Sequence, residues 1–332
     1  MAPNAATFYV QLTPGVNYVR AELPARYYPG RVVHQPAVTL TKDPPEIEVD
    51  NHEGSAAFWM FPGNAVRGVV MANQIRQGVR VLAEVDDNYL LAPPLDFGAW
   101  RKDAVNYHDH SYETHEQIVR ETAQGLVVST RRLAEVYADV NDNIFVCENC
   151  VDPADWPAAP DHQRDGILRV GWAASDSHAH DGPLIADALR WAAAQKDVQV
   201  VIVGIETWAP PCKHLYVPFQ DLPVYRETLH RHIDVMLCPL KFDPWTECKS
   251  DLKALEGAMS GAVPVMSNQP PYADWKDRPG ILCNDAYDFK RGVKRLVNDR
   301  EATRVLAEEA RQWVLDNRDI RKNVWRWQEA AA

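Results

Sequence analysis

Residues 241–268 read KFDPWTECKSDLKALEGAMSGAVPVMSN, and the pattern in them decides what the rest of the chain must build. From Cys248 to Ser260 the spacing predicts a helix: Leu252, Leu255, Ala258 and Met259 recur at helical intervals, and Gly261 followed by Pro264 stops it. On such a helix Lys249, Lys253, Glu256 and Ser260 fall within about 60° of one another, beside the apolar stripe. Two cations and a carboxylate then share one flank. A solvated, salt-bridged surface and a seat for an anionic ligand both fit that flank, and the surroundings must separate them.

Working outward, an apolar run at 233–240 precedes the helix, another at 263–266 follows it, and a third lies at 280–283. Earlier runs fall at 167–172 and 198–204, with a helix expected at 184–195 on Leu184, Ala188, Trp191 and Ala192. The amino-terminal half repeats this alternation. Runs at 7–12, 57–61, 79–85, 125–129 and 143–147, rich in Val, Phe, Tyr and Ile, read as buried strands, and 64–77, 108–123 and 130–138 read as helices. Strands alternating with helices imply parallel α/β sheets, whose ligands sit beyond the carboxyl ends of the strands. Residues 151–165, VDPADWPAAPDHQRD, carry Pro and Asp instead of apolar periodicity and read as a linker between two α/β units. From residue 286 the chain turns helical again on Phe289, Val293 and Leu296, then on Val305 and Trp313. Residues 311–329 mix Trp313, Trp325 and Trp327 with charges of both signs. A terminal amphipathic helix packed back across the domain junction fits that pattern, and a membrane-surface helix is the rival reading.

The totals are those of an ordinary soluble chain. Its 332 residues suit two domains of about 150 residues, with 46% hydrophobic and 24% charged residues. A formal net charge of −11 supplies no overall field for nucleic acid or an anionic membrane. The amino terminus lacks the basic region and apolar core of a secretory signal, and nowhere do about twenty apolar residues run together. A cytoplasmic protein without stable membrane insertion is expected. The six cysteines are too scattered for a disulfide framework. Cys147 and Cys150 form a C-x-x-C, but no second pair stands at zinc-finger spacing and no thioredoxin-like helix follows.

Three further stretches fall at expected strand ends. GWAASDSHAHDG, residues 171–182, puts small residues between a strand and a helix, a turn whose N–H groups and helix start suit a phosphate. It lacks G-x-G-x-x-G, which disfavours a nicotinamide cofactor. Asp181 as a helix cap and His178 as a solvated turn residue are the plain alternatives. In residues 215–240, Val217, Pro218 and Phe219 offer an apolar shelf for a planar base or ordinary core packing. At 79–90 a strand ends in Asp86 and Asp87, which read as loop caps or as a divalent-metal pair. His108, Asp109, His110 and His115 suggest a metal cluster, but helical spacing separates His110 from the others and favours a solvated helix.

A strand ending in Pro, a variable loop, then a helix bearing Lys249-Ser250, Lys253 and Glu256 and closing in Gly261-Ala262-Val263-Pro264-Val265 resembles the donor-site signature of GT-B glycosyltransferases. It is particularly similar to the retaining, nucleotide-sugar-dependent group 1 or family 4-like kind of bacteria and phages. That signature runs Glu-x(7)-Glu, a small-residue run, then Gly and Pro-Val. Residues 256–265 track its second half with Ala-Met displaced by one position, and Cys248 stands where the first Glu belongs, with Glu247 adjacent. Residues 125–156 resemble the family's last amino-domain strand, helix, strand and Asn-x-Val-Asp linker, and 171–181 its phosphate loop. The likeness covers about residues 55–330.

The resemblance implies two Rossmann-like domains with a deep interdomain cleft: an acceptor domain at 1–155, a donor domain at 156–310, and a terminal helix at 311–332 crossing back to the first. It implies a hexosyltransferase that moves sugar from a UDP- or GDP-type nucleotide diphosphate sugar to a hydroxyl, with retention and without a metal or other cofactor. Lys249, Lys253 and His178 would neutralise the departing diphosphate, and Glu256 would hold the ribose. Gly171, Ala174, Ser175, Asp181, Val217, Pro218 and Ser250 would line the donor site. Thr13, Gly15, Arg20, Asp86 and Asp87 would face the acceptor. That acceptor is expected to be a hydroxymethylated DNA base, a virion protein or a polysaccharide, in the host cytoplasm if the chain is phage-encoded. Two rivals stay open: a binding module that has lost catalysis, favoured by Cys248, and a metal-dependent GT-A transferase using Asp86 and Asp87.

Overall fold

Each apolar run named above forms a strand, within two residues of its expected limits. The computed structural model describes residues 5–10, 14–34, 39–41, 46–48, 54–62, 65–91, 112–158, 165–276 and 278–332. The chain divides into two units, Met1–Asn149 with Ile320–Ala332, and Cys150–Asp319.

The first unit holds β1 (Ala6–Val10), β2 (Gly30–His34), β5 (Ala56–Met60), β6 (Arg80–Val85), β7 (Leu126–Val128) and β8 (Ile144–Val146) in one parallel sheet, ordered β2-β1-β5-β6-β7-β8. Between β2 and β5, the short strands β3 (Thr39–Thr41) and β4 (Glu46–Glu48) pair antiparallel. Successive side chains on a strand point to opposite faces. Phe8 therefore stacks on Phe58 at 4.7 Å on one face, while Tyr9 stacks on Trp59 at 4.0 Å on the other. Gln74 closes the second face, accepting from Trp59 Nε1 at 2.9 Å and donating to the Tyr9 hydroxyl at 3.0 Å. Trp327 stands edge-on to the Phe8 and Phe58 rings at 5.6 and 5.4 Å, so helix Trp325–Ala331 completes this unit's core.

In the second unit β9 (Leu168–Ala173), β10 (Val198–Gly204), β11 (Leu215–Pro218), β12 (Val235–Cys238), β13 (Val263–Ser267) and β14 (Ile281–Cys283) are all parallel. Their order, β11-β10-β9-β12-β13-β14, is 3-2-1-4-5-6 in chain order, the Rossmann arrangement. Its topological switch point lies between β9 and β12. Helices Ala186–Ala193 and Ala286–Asn298 cover one face, over Val200, Ile202, Val235 and Leu237. Helices Leu222–His232 and Leu252–Ser260 cover the other, over Val201, Val203, Met236 and Cys238.

Several expectations are corrected. No single helix spans 311–329. Helix Arg300–Asn317 stays in the second unit, with Trp313 against Trp275 at 4.3 Å, and breaks at Arg318. The Arg318 guanidinium is drawn to Asp251 and Asp274, and its carbonyl accepts the Val151 N–H at 2.8 Å. Short helices Ile320–Asn323 and Trp325–Ala331 follow, leaving Trp325 51% exposed. Helix Leu222–His232, between β11 and β12, packs Leu222, Tyr225 and Leu229 into the core and also buries Arg226 and Thr228. Of the histidine cluster, residues 108–110 lie outside the described residues. His115, on helix Tyr112–Glu121, is buried rather than solvated and meets the Tyr137 hydroxyl at 3.2 Å. Among the described residues no helix is long and apolar enough to cross a membrane.

Candidate functional site

The switch point brings together the segments after β9 and β12, and the expected donor residues distribute unevenly around it. Gly171 lies inside β9, not in the turn. A Cβ there would come within 2.7 Å of the Ile233 side chain, so this glycine serves close packing. The Ala174 N–H continues the ladder to the Val203 carbonyl at 3.0 Å and is not offered to a ligand. Beyond it Ser175 is exposed, and residues Asp176–Leu184 wind as a 3-10 turn rather than as the start of an α-helix. Asp176 fixes that turn by accepting from Glu206 N at 2.8 Å and from Thr207 N and Oγ1 at 2.9 Å.

Asp181 does not cap a helix. Its side chain is wholly buried, with Oδ1 accepting the Lys241 N–H at 2.7 Å and Oδ2 2.9 Å from Nδ1 of His178. One carboxylate thus ties the segment after β9 to the segment after β12. Burial lowers the His178 pKa; Asp181 raises it and the nearby Lys249 and Lys253 lower it again, leaving a net downward shift.

The helix expected from Cys248 begins only at Leu252. Residues Thr246–Cys248 form a single 3-10 turn and Lys249 is extended, so Lys249 does not share a helical flank with Lys253 and Glu256. Asp243 holds this loop by accepting from Trp245 N at 3.0 Å and Thr246 N at 2.8 Å. Lys249 Nζ lies 5.2 Å from the Trp245 ring centre, and Ser250 beside it is half-buried. Cys248 is fully buried with its sulfur toward the Pro244 carbonyl, so the position that carries a carboxylate in the resembled signature here faces the loop interior. The helix ends as expected. Gly261 takes a left-handed conformation, φ 88°, which glycine adopts without a Cβ penalty, and Ala262 N–H reaches back to the Gly257 carbonyl at 2.8 Å. A Cβ on Gly257 would stand 2.8 Å from that of Met236, so this glycine lets the helix lie close on β12.

Lys253 and Glu256 are brought together, and Tyr225 joins them. Glu256 Oε2 accepts from the Tyr225 hydroxyl at 2.9 Å and from Lys253 Nζ at 3.1 Å. Burial pulls the Lys253 pKa down, but Glu256 and Tyr225 more than reverse it, and the ammonium is held above its ordinary range. Ser260, at the end of the same helix, is buried and bonded to the Gly257 carbonyl. The Phe219 ring, 60% exposed, lies nearly parallel to Tyr225 at 6.2 Å, while Pro218 is exposed and Val217 packs into the core. Spacing missed Tyr225 because its partner lies on another helix; only the sheet order places the two side by side.

In the first unit, Arg20 does not face solvent. It is 1% exposed and donates Nε–H to Glu84 at 2.6 Å and Nη1–H to the Cys147 carbonyl and to Asn149 Oδ1. The Trp327 ring lies 5.0 Å away. A guanidinium so committed is a core tie, and Glu84, which no spacing argument singled out, is its counter-charge. Asp86 and Asp87 form the bend after β6, with Asp86 Oδ1 accepting from the Tyr89 hydroxyl at 2.8 Å. Gly15 lies on the short helix Pro14–Asn17, and Thr13 lies outside the described residues. No group of three or more His, Cys, Asp and Glu side chains among the described residues is arranged to hold a metal ion.

No protein-family model and no curated protein matches the chain. Solved structures do. The chain is similar to HepE of Anabaena in complex with UDP-glucose, at 12% identity and TM-score 0.66 over 98% of this chain and 100% of that one. It is similar to sucrose-phosphate synthase of Thermosynechococcus elongatus, at 12% identity and TM-score 0.63 over 98% of each chain. It is also similar to the catalytic domain of starch synthase IV of Arabidopsis thaliana bound to ADP and acarbose, at 9% identity and TM-score 0.68 over 100% of this chain and 99% of that one. The fold is GT-B, that of glycosyltransferases.

Proposed function

We propose, from the GT-B fold and the cationic switch point of the second unit, that this protein is a glycosyltransferase whose donor is a nucleotide diphosphate sugar. The observation that carries the reading is the Lys253–Glu256–Tyr225 cluster at the start of the helix after β12, with Lys249 on the loop before it and both lysines acting on the charge of His178, on the segment after β9. Departure of a nucleoside diphosphate builds negative charge on its β-phosphate, and fixed cations there lower the barrier. Lys249 and Lys253 supply that charge without a metal. Glu256 accepts hydrogen bonds from the ribose hydroxyls, Ser175 and Ser250 border the phosphates, and the exposed Phe219 ring receives the base. Similar structures in complex with UDP-glucose or bound to ADP support a nucleotide ligand.

Transfer proceeds to a hydroxyl with retention, as in the enzymes that the sequence resembles, and the acceptor is taken by the first unit, where Asp86 and Asp87 follow β6. Incubation with UDP-, GDP- and ADP-sugars, with and without a chelator, tests the reading through release of nucleoside diphosphate. Release from one donor, undiminished by chelator and strongly reduced in Lys249→Ala, is expected; no release and no binding with any donor overturns it. Cys248, buried in place of a carboxylate, favours a second reading as a nucleotide-sugar-binding module. Donor binding without any hydrolysis or transfer is the outcome that module would give.

A further inference from the structure

The arrangement around His178 has a consequence for how an anion enters the second unit. Asp181 accepts the Lys241 N–H with one oxygen and faces Nδ1 of His178 with the other. A carboxylate only accepts, so the imidazole proton sits on Nδ1 and Nε2 carries a lone pair. Among the described residues, the charged groups that act on the ring are Asp181 on its own loop, 2.9 Å from Nδ1, and, through space, Lys249 and Lys253 from the segment after β12. His180 stands 3.5 Å from the other Asp181 oxygen. Burial and the two lysines hold the ring neutral in the free protein, against the pull of Asp181.

A neutral ring of this tautomer has nothing to donate at Nε2. A phosphate oxygen offers only lone pairs, so the two groups repel as they stand. We propose that binding of a nucleoside diphosphate to the second unit draws a proton from solvent onto Nε2 of His178, and that Asp181 is the positioning residue that makes this uptake necessary by fixing the tautomer. The inference rests on the nucleotide-sugar reading of the same site. The only covalent change is one N–H bond formed at Nε2, its proton coming from the buffer. The imidazolium then lies between two anions, Asp181 at Nδ1 and the phosphate at Nε2. The lysines that oppose its protonation in the free protein are at the same time neutralised by the ligand.

The test is titration calorimetry with UDP at about pH 8, in buffers of different ionisation enthalpy, on the full chain and on His178→Gln. The native protein should take up close to one more proton per UDP than the variant, and its affinity should fall about tenfold per pH unit on the alkaline side while the variant's stays flat. Asp181→Asn gives the sharper result. The Lys241 N–H still requires an acceptor, so the amide oxygen remains there and the NH2 turns to Nδ1, forcing the Nε2–H tautomer. That variant should bind UDP with no extra proton and no alkaline slope, which a merely structural role for Asp181 would not produce. His178 is partly exposed, so His178→Gln decides the question even where Asp181→Asn fails to fold. Equal proton uptake by native protein and His178→Gln, with UDP bound to both, overturns the proposal and leaves the nucleotide reading standing. Failure of UDP, GDP and ADP alike to bind the native protein overturns both.

Discussion

The Tyr225 hydroxyl donates to Glu256 Oε2 at 2.9 Å across two helices whose contact residues are 31 apart in the chain. Burial and Glu256 push that hydroxyl well above its ordinary pKa, so it remains a donor. With Lys253 on the same oxygen, the ribose contact proposed for Glu256 falls to Oε1. Tyr225→Phe should raise donor KM about fivefold, the equivalent of about 1 kcal/mol for one hydrogen bond, with little change in kcat. Steady-state kinetics at varied donor concentration read this directly, and an unchanged KM would detach Tyr225 from nucleotide binding.

Lys249 and Lys253 should behave differently, because Lys253 is tied to Glu256 and Lys249 is not on that helix. Lys249→Ala should cost about 1.5–3 kcal/mol in kcat/KM through a lost phosphate contact. Lys253→Ala should cost a similar amount in kcat/KM and also lower the melting temperature. Its effect should be non-additive with Glu256→Ala, because each mutation breaks the same contact. Native kinetics in both lysine variants would return these side chains to an ordinary solvated surface.

Above pH 7, where Glu84 is ionised, Arg20→Ala should destabilise the first unit by about 3–5 kcal/mol, since it leaves that carboxylate buried without its counter-charge. UDP affinity should not change. Replacing Arg20 and Glu84 together by apolar residues should cost much less than the single change. Denaturant unfolding with calorimetry on the same samples separates the effects; a loss of UDP binding in folded Arg20→Ala would contradict the assignment of Arg20 to the core.

Two buried groups in the first unit give opposite pH slopes. Burial, with Asp86 nearby and against the pull of Arg20, pushes the Glu84 carboxyl up to about 7 from its ordinary 4.5. Its contribution to stability is therefore full below 4.5 and lost as pH rises toward 7. Burial holds His115 neutral, with its pKa lowered from 6.5 to about 3. That contribution is full above 6.5 and lost as pH falls toward 3. Between 4.5 and 6.5 the two slopes, each about 1.4 kcal/mol per pH unit, cancel. Glu84→Gln should make stability rise with pH across that window and His115→Gln should make it fall, measured by urea unfolding at a series of pH values. Parallel profiles in the two variants would refute the assignment.

The sequence made the sheets legible because a strand buried on both faces is written as a continuous apolar run, as in VQVVIVG of β10. The stop at Gly261 was legible for a related reason, since the left-handed backbone there favours glycine. Charged positions were less so. Lys249 looked helical because nothing local announces that Asp243 winds the loop before it into a 3-10 turn. Arg20 looked exposed because its partners, Glu84, Cys147 and Asn149, come from other parts of the sheet. A charge that is buried by distant residues leaves no periodic trace of its own.

Trp327 covers the stacked Phe8 and Phe58 rings, and this sets an order of events on the ribosome. The second unit is one continuous stretch, whose ends meet where Val151 pairs with Arg318 and Asp319. It can close as soon as its own residues have emerged. The first unit is built earlier yet finished later, with an aromatic face of its sheet waiting through the synthesis of the whole second unit. During that interval the nascent chain presents apolar surface that belongs, in the finished protein, beneath residues not yet made, and this is the period in which a chaperone would find it.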